Sequence, residues 1–204
     1  MIALQVLIIS FVVSYLGSIP PGTINVTTMQ YAVLGQSRNA FYFALAASLM
    51  EFIYAGATVR FQLFLSETTA FSNYFQLITG AAMVVLGLSN LFAKRSKLDT
   101  TQNKTSARNG FKKGLMLGLA NPLTIPFWLA ITAYLLGNNL IILEGGLFWY
   151  YLTGISMGTF ALLLTVRSLG RRFQQIAENH FLVHQAPGII FILMGLWNLV
   201  GLLS

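Results

Sequence analysis

The stretch Gly17-Ser18-Ile19-Pro20-Pro21-Gly22-Thr23-Ile24-Asn25 sets two prolines and two glycines inside an otherwise apolar run near the N-terminus. Proline has no N–H and its ring crowds the carbonyl four residues back. A helix entering this stretch therefore has to break, with Pro20 acting on Leu16 and Pro21 on Gly17. In hydrocarbon the freed backbone groups cannot be left against lipid, so they are buried in protein or line a polar cavity. Interrupted helices of this kind are where membrane transporters hold their substrates. The second half carries a matching stretch, Gly118-Leu119-Ala120-Asn121-Pro122-Leu123-Thr124-Ile125-Pro126, and an offset of 101 pairs Gly17 with Gly118, Pro21 with Pro122, Thr23 with Thr124 and Ile24 with Ile125.

The medium is decided by composition. Of the 204 residues 56% are hydrophobic and 8% charged, where soluble proteins carry about a quarter charged. The charges fall between apolar runs of about twenty residues, the length that crosses a bilayer core as helix, and the alternation of a membrane barrel is absent. The apolar N-terminus lacks a basic leader region, its first cationic side chain being Arg38, so a retained span is expected rather than a signal peptide. The net charge of +7 then belongs to membrane topology and not to nucleic acid. With no cysteine in the chain, dithiol electron carriage and thiolate metal sites are excluded.

Six spans are expected, at about 2–34, 39–60, 74–93, 114–136, 145–166 and 186–203, with the breaks in the first and fourth. The run 94–113 holds seven cations against Asp99 and is the one plausible linker. Arg38, Lys94, Arg95, Lys97, Lys104, Arg108, Lys112, Lys113, Arg167, Arg171 and Arg172 all fall on one side and Arg60 alone on the other. The positive-inside rule puts the first group in the cytoplasm and both termini outside it.

The internal match extends beyond the breaks. An offset of 107 pairs Phe41, Thr58, Val59 and Arg60 with Phe148, Thr165, Val166 and Arg167, and one of 108 pairs Gly80, Gly87, Leu88, Asn90 and Leu91 with Gly188, Gly195, Leu196, Asn198 and Leu199. Three spans per copy is odd, so the copies must lie in opposite senses. The expected fold is an all-α membrane protein of six transmembrane helices in two inverted three-helix repeats, 1–93 and 114–204, joined by the cytoplasmic linker 94–113.

Behind each break the chain restarts as helix, leaving N–H groups at Gly22 to Ile24 and at Leu123 to Ile125 with partial positive charge suited to a carboxylate. The carbonyls of Leu16, Gly17 and Gly118, released by the prolines, can accept from an ammonium or a cation. Together they suit a small zwitterion. The expected substrate-binding residues are Pro20, Pro21, Gly22, Thr23, Asn25, Asn121, Pro122 and Thr124, with Thr27 and Thr28 adding hydroxyls. The competing reading, prolines that merely kink two helices, is weakened by two breaks at equivalent positions.

Glu51 is the one carboxylate inside any expected span, near the centre of 39–60, where holding it ionised costs a few kcal/mol or more. It is the expected proton-coupling group; the alternative is an acid hydrogen-bonded to Tyr54 and kept for packing. Arg60 and Arg167 are expected to snorkel to headgroups, Asn90 and Asn198 to bond between helices, and Trp128, Trp149 and Trp197 to anchor at interfaces or face lipid. His180 and His184 are expected in a solvated loop. No phosphate loop, nucleophile elbow or acid pair is present, so no enzymatic activity and no cofactor are expected.

Pro20-Pro21-Gly22-Thr23, the Gly35-Gln36-Ser37-Arg38 turn and the Asn121-Pro122 element give the chain its resemblance to the lysine exporter (LysE/RhtB) family of amino-acid efflux proteins. That family's Pro-Gly-Pro signature in the first span has threonine, Thr23, in place of its last proline here. The resemblance implies an exporter of amino acids or similar small solutes in the cytoplasmic membrane, driven by the proton gradient, with self-association left open. Two rivals stand beside it: a transporter of an inorganic cation using freed carbonyls with Glu51, and a membrane subunit that transports nothing.

Overall fold

A computed structural model describes residues 1–19, 22–66, 72–92, 107–121, 124–170, 172, 181 and 185–200. The regular elements among them are all helices: α1 (Ile2–Gly17), α2 (Thr23–Val33), α3 (Ser37–Ser66), α4 (Ser72–Leu91), α5 (Ala107–Leu119), α6 (Thr124–Gly137), α7 (Leu147–Leu169) and α8 (Ala186–Val200). Both breaks are present in the backbone. The expected first span is two helices, and the fourth is α5 and α6. α5 begins at Ala107, so Arg108, Lys112 and Lys113, expected in the linker, are helical residues. α3 has 30 residues and overruns the expected 39–60 at both ends, because composition marks where hydrocarbon ends and not where a helix does. Ser37–Phe64 of α3 and the whole of α7 are long and apolar enough to cross a membrane, whereas α1, Phe127–Gly137 of α6 and Gly188–Trp197 of α8 are shorter apolar helices.

The chain forms two compact units. The first comprises Met1–Ile53, Lys94–Asn121 and Leu143–Val183. Within it α1 has two faces: Leu4, Ile8, Val12 and Leu16, four residues apart, are exposed, while Val6, Ser10 and Ser14 are buried. The buried face meets glycines of α7. A Cβ on Gly158 would lie 2.8 Å from Ser14 Cβ and 3.0 Å from the Tyr15 nitrogen, and one on Gly154 would strike Ser10 Oγ. Since Ser10 meets Gly154 and Ser14 meets Gly158, α1 and α7 run in the same direction. Ser14 Oγ donates to the Ile155 carbonyl at 2.7 Å and lies 2.9 Å from Thr159 Oγ1. A hydroxyl has one hydrogen, so the Thr159 hydroxyl must be the donor of the second bond.

α5 lies on α3 in the same manner with the glycines on the other partner. A Cβ on Gly110 would come within 2.7 Å of the Asn39 carbonyl oxygen, one on Gly114 within 2.8 Å of Ala46 Cβ, and one on Gly118 within 2.7 Å of Met50 Cβ. These two helices also run in the same direction. α3 and α7 run antiparallel, with Ser156 Oγ donating to the Ser48 carbonyl at 2.9 Å and Arg167 reaching Ser37. α2 ends in a Schellman turn: the Gln36 N–H bonds to the Tyr31 carbonyl at 2.8 Å and the Gly35 N–H to that of Ala32 at 3.1 Å. Gly35, at φ +70°, supplies the left-handed residue the turn requires.

The second unit comprises Tyr54–Ala93, Pro122–Ile142 and His184–Ser204. α4 and α8 press backbone to backbone: a Cβ on Gly87 would lie 2.6 Å from the Gly188 carbonyl oxygen, and one on Gly195 would lie 2.8 Å from that of Gly80. The pairing is antiparallel. Trp128 on α6, expected at an interface, is fully buried and packs edge-on against Phe127 at 4.9 Å. Its bulk fills the interior, while Trp149 and Trp197 are exposed as expected. Asn90 and Asn198 fall on α4 and α8 with side chains outside what the structure describes, and His180 and His184 lie outside the described residues.

Buried serines and threonines such as Ser10, Ser14, Thr28, Thr132 and Thr159 face exposed Ile53, Leu193 and Trp197 on the outside. Polar groups inside, apolar side chains outside and glycine-mediated helix contacts are the arrangement a bilayer selects, because lipid gives helices no hydrophobic reason to associate.

Candidate functional site

The first break is built from short-range bonds. Ser18, the C-cap of α1, donates its N–H to the Ser14 carbonyl at 3.0 Å, and the Ile19 N–H bonds to the Leu16 carbonyl at 3.2 Å. α2 then starts from Gly22 as N-cap (φ −82°, ψ −174°) with no side-chain cap, its first bond running from the Val26 N–H to the Gly22 carbonyl at 3.0 Å. The N–H groups of Thr23, Ile24 and Asn25 accordingly have no acceptor within the helix. Gly22 and Thr23 are exposed, and a Cβ at Gly22 would meet nothing within 4 Å. Among the described residues, the positive end of α2 thus begins at exposed backbone.

Other expected site residues fall in different places. Pro20, Pro21 and Pro122 lie outside the described residues. Asn25 is buried at 4% exposure, its Nδ2 donating to the Ser18 carbonyl at 2.6 Å. Thr27 and Thr28 are buried as well, and Thr28 Oγ1 donates to the Ile24 carbonyl at 3.0 Å, so that hydroxyl is used inside α2. Asn121 is half-buried and closes the end of α5 with an N–H bond to the Gly118 carbonyl at 3.3 Å. Thr124 opens α6 in the second unit, 4% exposed. Of the carbonyls expected to be released, those of Leu16 and Gly118 each accept one of these turn bonds and keep one lone pair.

Within the first unit three of these features converge. The rings of Tyr31 on α2 and Phe43 on α3 meet edge-on at 5.8 Å. Two helical turns from that pair, away from the Gly35 turn, stand Ile24 and Met50. Ile24, Leu117 of α5 and Ala47 of α3 pack on one buried cluster, and Gly118 lies against Met50. The start of α2, the end of α5 and the stretch of α3 just before Glu51 therefore border one buried cluster. Glu51 is half-buried, near the middle of α3. Among the described residues no three His, Cys, Asp or Glu side chains gather as metal ligands.

The cationic face of this unit holds two contacts the sequence did not disclose. Arg167 in the last turn of α7 donates through Nε and Nη2 to Ser37 Oγ at 2.9 and 2.7 Å and lies over the Phe41 ring at 5.6 Å. Lys113 stands 5.6 Å from the Tyr31 ring centroid. Arg167, expected to snorkel, ties α7 to the start of α3. Because the contact is solvent-exposed, Arg167→Ala is expected to cost only about 1 kcal/mol or less, read as a small drop in the thermal unfolding midpoint in detergent, and a larger drop would show that the contact is not screened.

The sequence profile of the LysE type translocator family matches residues 15–201. YcgF of Bacillus subtilis (strain 168), a protein named for amino acid efflux, is 28% identical over 200 residues, covering 90% of this chain and 93% of its own. No solved structure matches the chain.

Proposed function

We propose that this chain, which belongs to the LysE type translocator family and so is a transporter and not an enzyme, exports amino acids or similar small zwitterions across the cytoplasmic membrane in exchange for protons. The observation that carries this reading is one buried cluster of the first unit, containing Ala47 of α3, on which Ile24 in the uncapped turn of α2 and Leu117 near the end of α5 both pack, with Met50, the neighbour of Glu51, against Gly118. The N–H groups of Thr23 and Ile24 suit a carboxylate, and the spare lone pairs of the Leu16 and Gly118 carbonyls suit an ammonium. Asn121 adds a side-chain amide, Pro20, Pro21 and Pro122 keep the backbone open, and Thr124 is the counterpart of Thr23 in the second half. Glu51 supplies a group that exchanges one proton per cycle of alternating access. The amino acid efflux name of the Bacillus subtilis relative points to the same substrate class.

Two inverted repeats remain the proposed architecture, with both termini outside the cytoplasm. Its support is a set of contacts that exchange under the sequence offsets. The helix before each break lies parallel on the long helix of the other half, α1 on α7 and α5 on α3, and the offset of 108 turns the Gly80–Gly195 pairing into Gly188–Gly87. These senses are the ones six successive crossings produce.

Proteoliposomes holding the purified chain test the function. Counterflow of an amino acid is expected. Mn²⁺ or Cd²⁺ flux without amino-acid exchange would favour the cation reading, and no flux at all would favour a subunit. Pro21→Ala combined with Pro122→Ala is expected to insert normally yet bind substrate at least about tenfold more weakly, because continuous helices leave no free peptide groups. Wild-type affinity would reduce the breaks to kinks.

A further inference from the structure

We infer that Asn25 is a positioning residue: its side-chain amide staples the two sides of the first break and holds the opening turn of α2 in the geometry that receives a carboxylate. The inference rests on that reading of the α2 turn.

Asn25 is the third helical residue after the N-cap Gly22. In a capping box a glutamate or glutamine at that position reaches back to the N–H of the cap. Here Asn25 Nδ2 instead donates at 2.6 Å to the carbonyl of Ser18, on the far side of Pro20 and Pro21. Ser18 caps α1, where the last carbonyls of a helix lack intrahelical donors and carry partial negative charge. One amide hydrogen thereby satisfies the end of α1 and fixes the start of α2 against it. Asn25 is 4% exposed where Gly22 and Thr23 are exposed, and one of its two amide hydrogens is committed to the chain.

The test is Asn25→Asp beside Asn25→Ala, read by hydrogen exchange of peptides covering residues 17–30 and, separately, by amino-acid counterflow at equal pH on both sides. A protonated aspartic acid can donate to the Ser18 carbonyl, whereas an ionised one sets two acceptors against a third. Relative to wild type at the same pH, Asn25→Ala is expected to exchange about tenfold faster in this segment at every pH, and Asn25→Asp only when ionised, with protection returning as pH falls. Arg38, Glu51 and Arg60 on α3, Arg108, Lys112 and Lys113 on α5 and Arg167 on α7, the charged groups on helices packed against α2, are the same in all three proteins and cancel in the comparison. Counterflow is expected to follow the same pattern, through a raised KM of about tenfold with a maximal rate close to wild type.

Wild-type protection in both variants, or loss in Asn25→Asp that low pH does not repair, overturns the staple. Exchange as expected with an unchanged KM overturns its positioning role. If wild type itself moves no amino acid, the proposed function fails while the exchange data still decide whether the staple exists.

Discussion

Replacing Glu51 by glutamine is expected to bring the proton-driven accumulation ratio of substrate in proteoliposomes down to about one, while substrate exchange without a gradient stays within about threefold of wild type. Glutamine has nearly the shape of the acid and keeps a donor and an acceptor, but it releases no proton. Glu51 is half-buried at the middle of α3, one residue from Met50, which lies against Gly118 where α5 ends. Ala47, one helical turn before it, belongs to the buried cluster on which Ile24 of α2 and Leu117 of α5 pack. A carboxyl group at Glu51 is deep enough that its charge is costly without a partner. Driven accumulation that survives the substitution would remove Glu51 from the coupling mechanism, and loss of both activities would make it a structural or substrate-contacting group instead.

The second large effect is expected at Gly158. Its missing Cβ lets α7 approach the α1 backbone, where any added carbon would lie 2.8 Å from Ser14 Cβ and 3.0 Å from the Tyr15 nitrogen. Flexible side chains can move aside, but helix backbone cannot. Gly158→Leu is expected to destabilise the protein by about 3 kcal/mol, equivalent to roughly 6–12 °C in the unfolding midpoint of a chain this size. The substitution would also pull apart the relay from Thr159 through Ser14 to the Ile155 carbonyl. Met157→Leu, on the exposed side of the same turn, serves as the control and is expected to change the midpoint little. Equal behaviour of the two variants would mean that α1 and α7 do not depend on close approach.

The two breaks were visible as spacing. The prolines marked where helices must stop, and the two breaks stand where expected, between Gly17 and Thr23 and between Leu119 and Thr124. Glu51 stood out because one acid in a long apolar run is rare. The extent of α3 was not visible, because a helix carries on past the hydrocarbon boundary without a change in composition. Trp128 was misplaced for a related reason: an indole has the same amphipathic character at an interface and in an interior, and only its neighbours on α6 separate the two.

The staple at Asn25 left one clue, since asparagine commonly bonds nearby backbone, yet an exposed ligand group and a buried tie have identical sequence. The Ser10 and Ser14 pair showed a helical spacing but not its partner, and the tie from Arg167 to Ser37 spans 130 residues.

What the chain settles by itself is local and chemical: where N–H groups are missing, which stretches tolerate lipid, and where a charge is out of place. Those follow from the covalent structure of each residue and its immediate neighbours. Which glycine face receives which helix, α7 for α1 and α5 for α3, is settled only in the folded molecule, because close approach is a property of two surfaces and each sequence segment describes just one. The cluster shared by Ile24 of α2, Leu117 of α5 and Ala47 of α3 arises in the same way, from contacts that no one of these helices encodes alone.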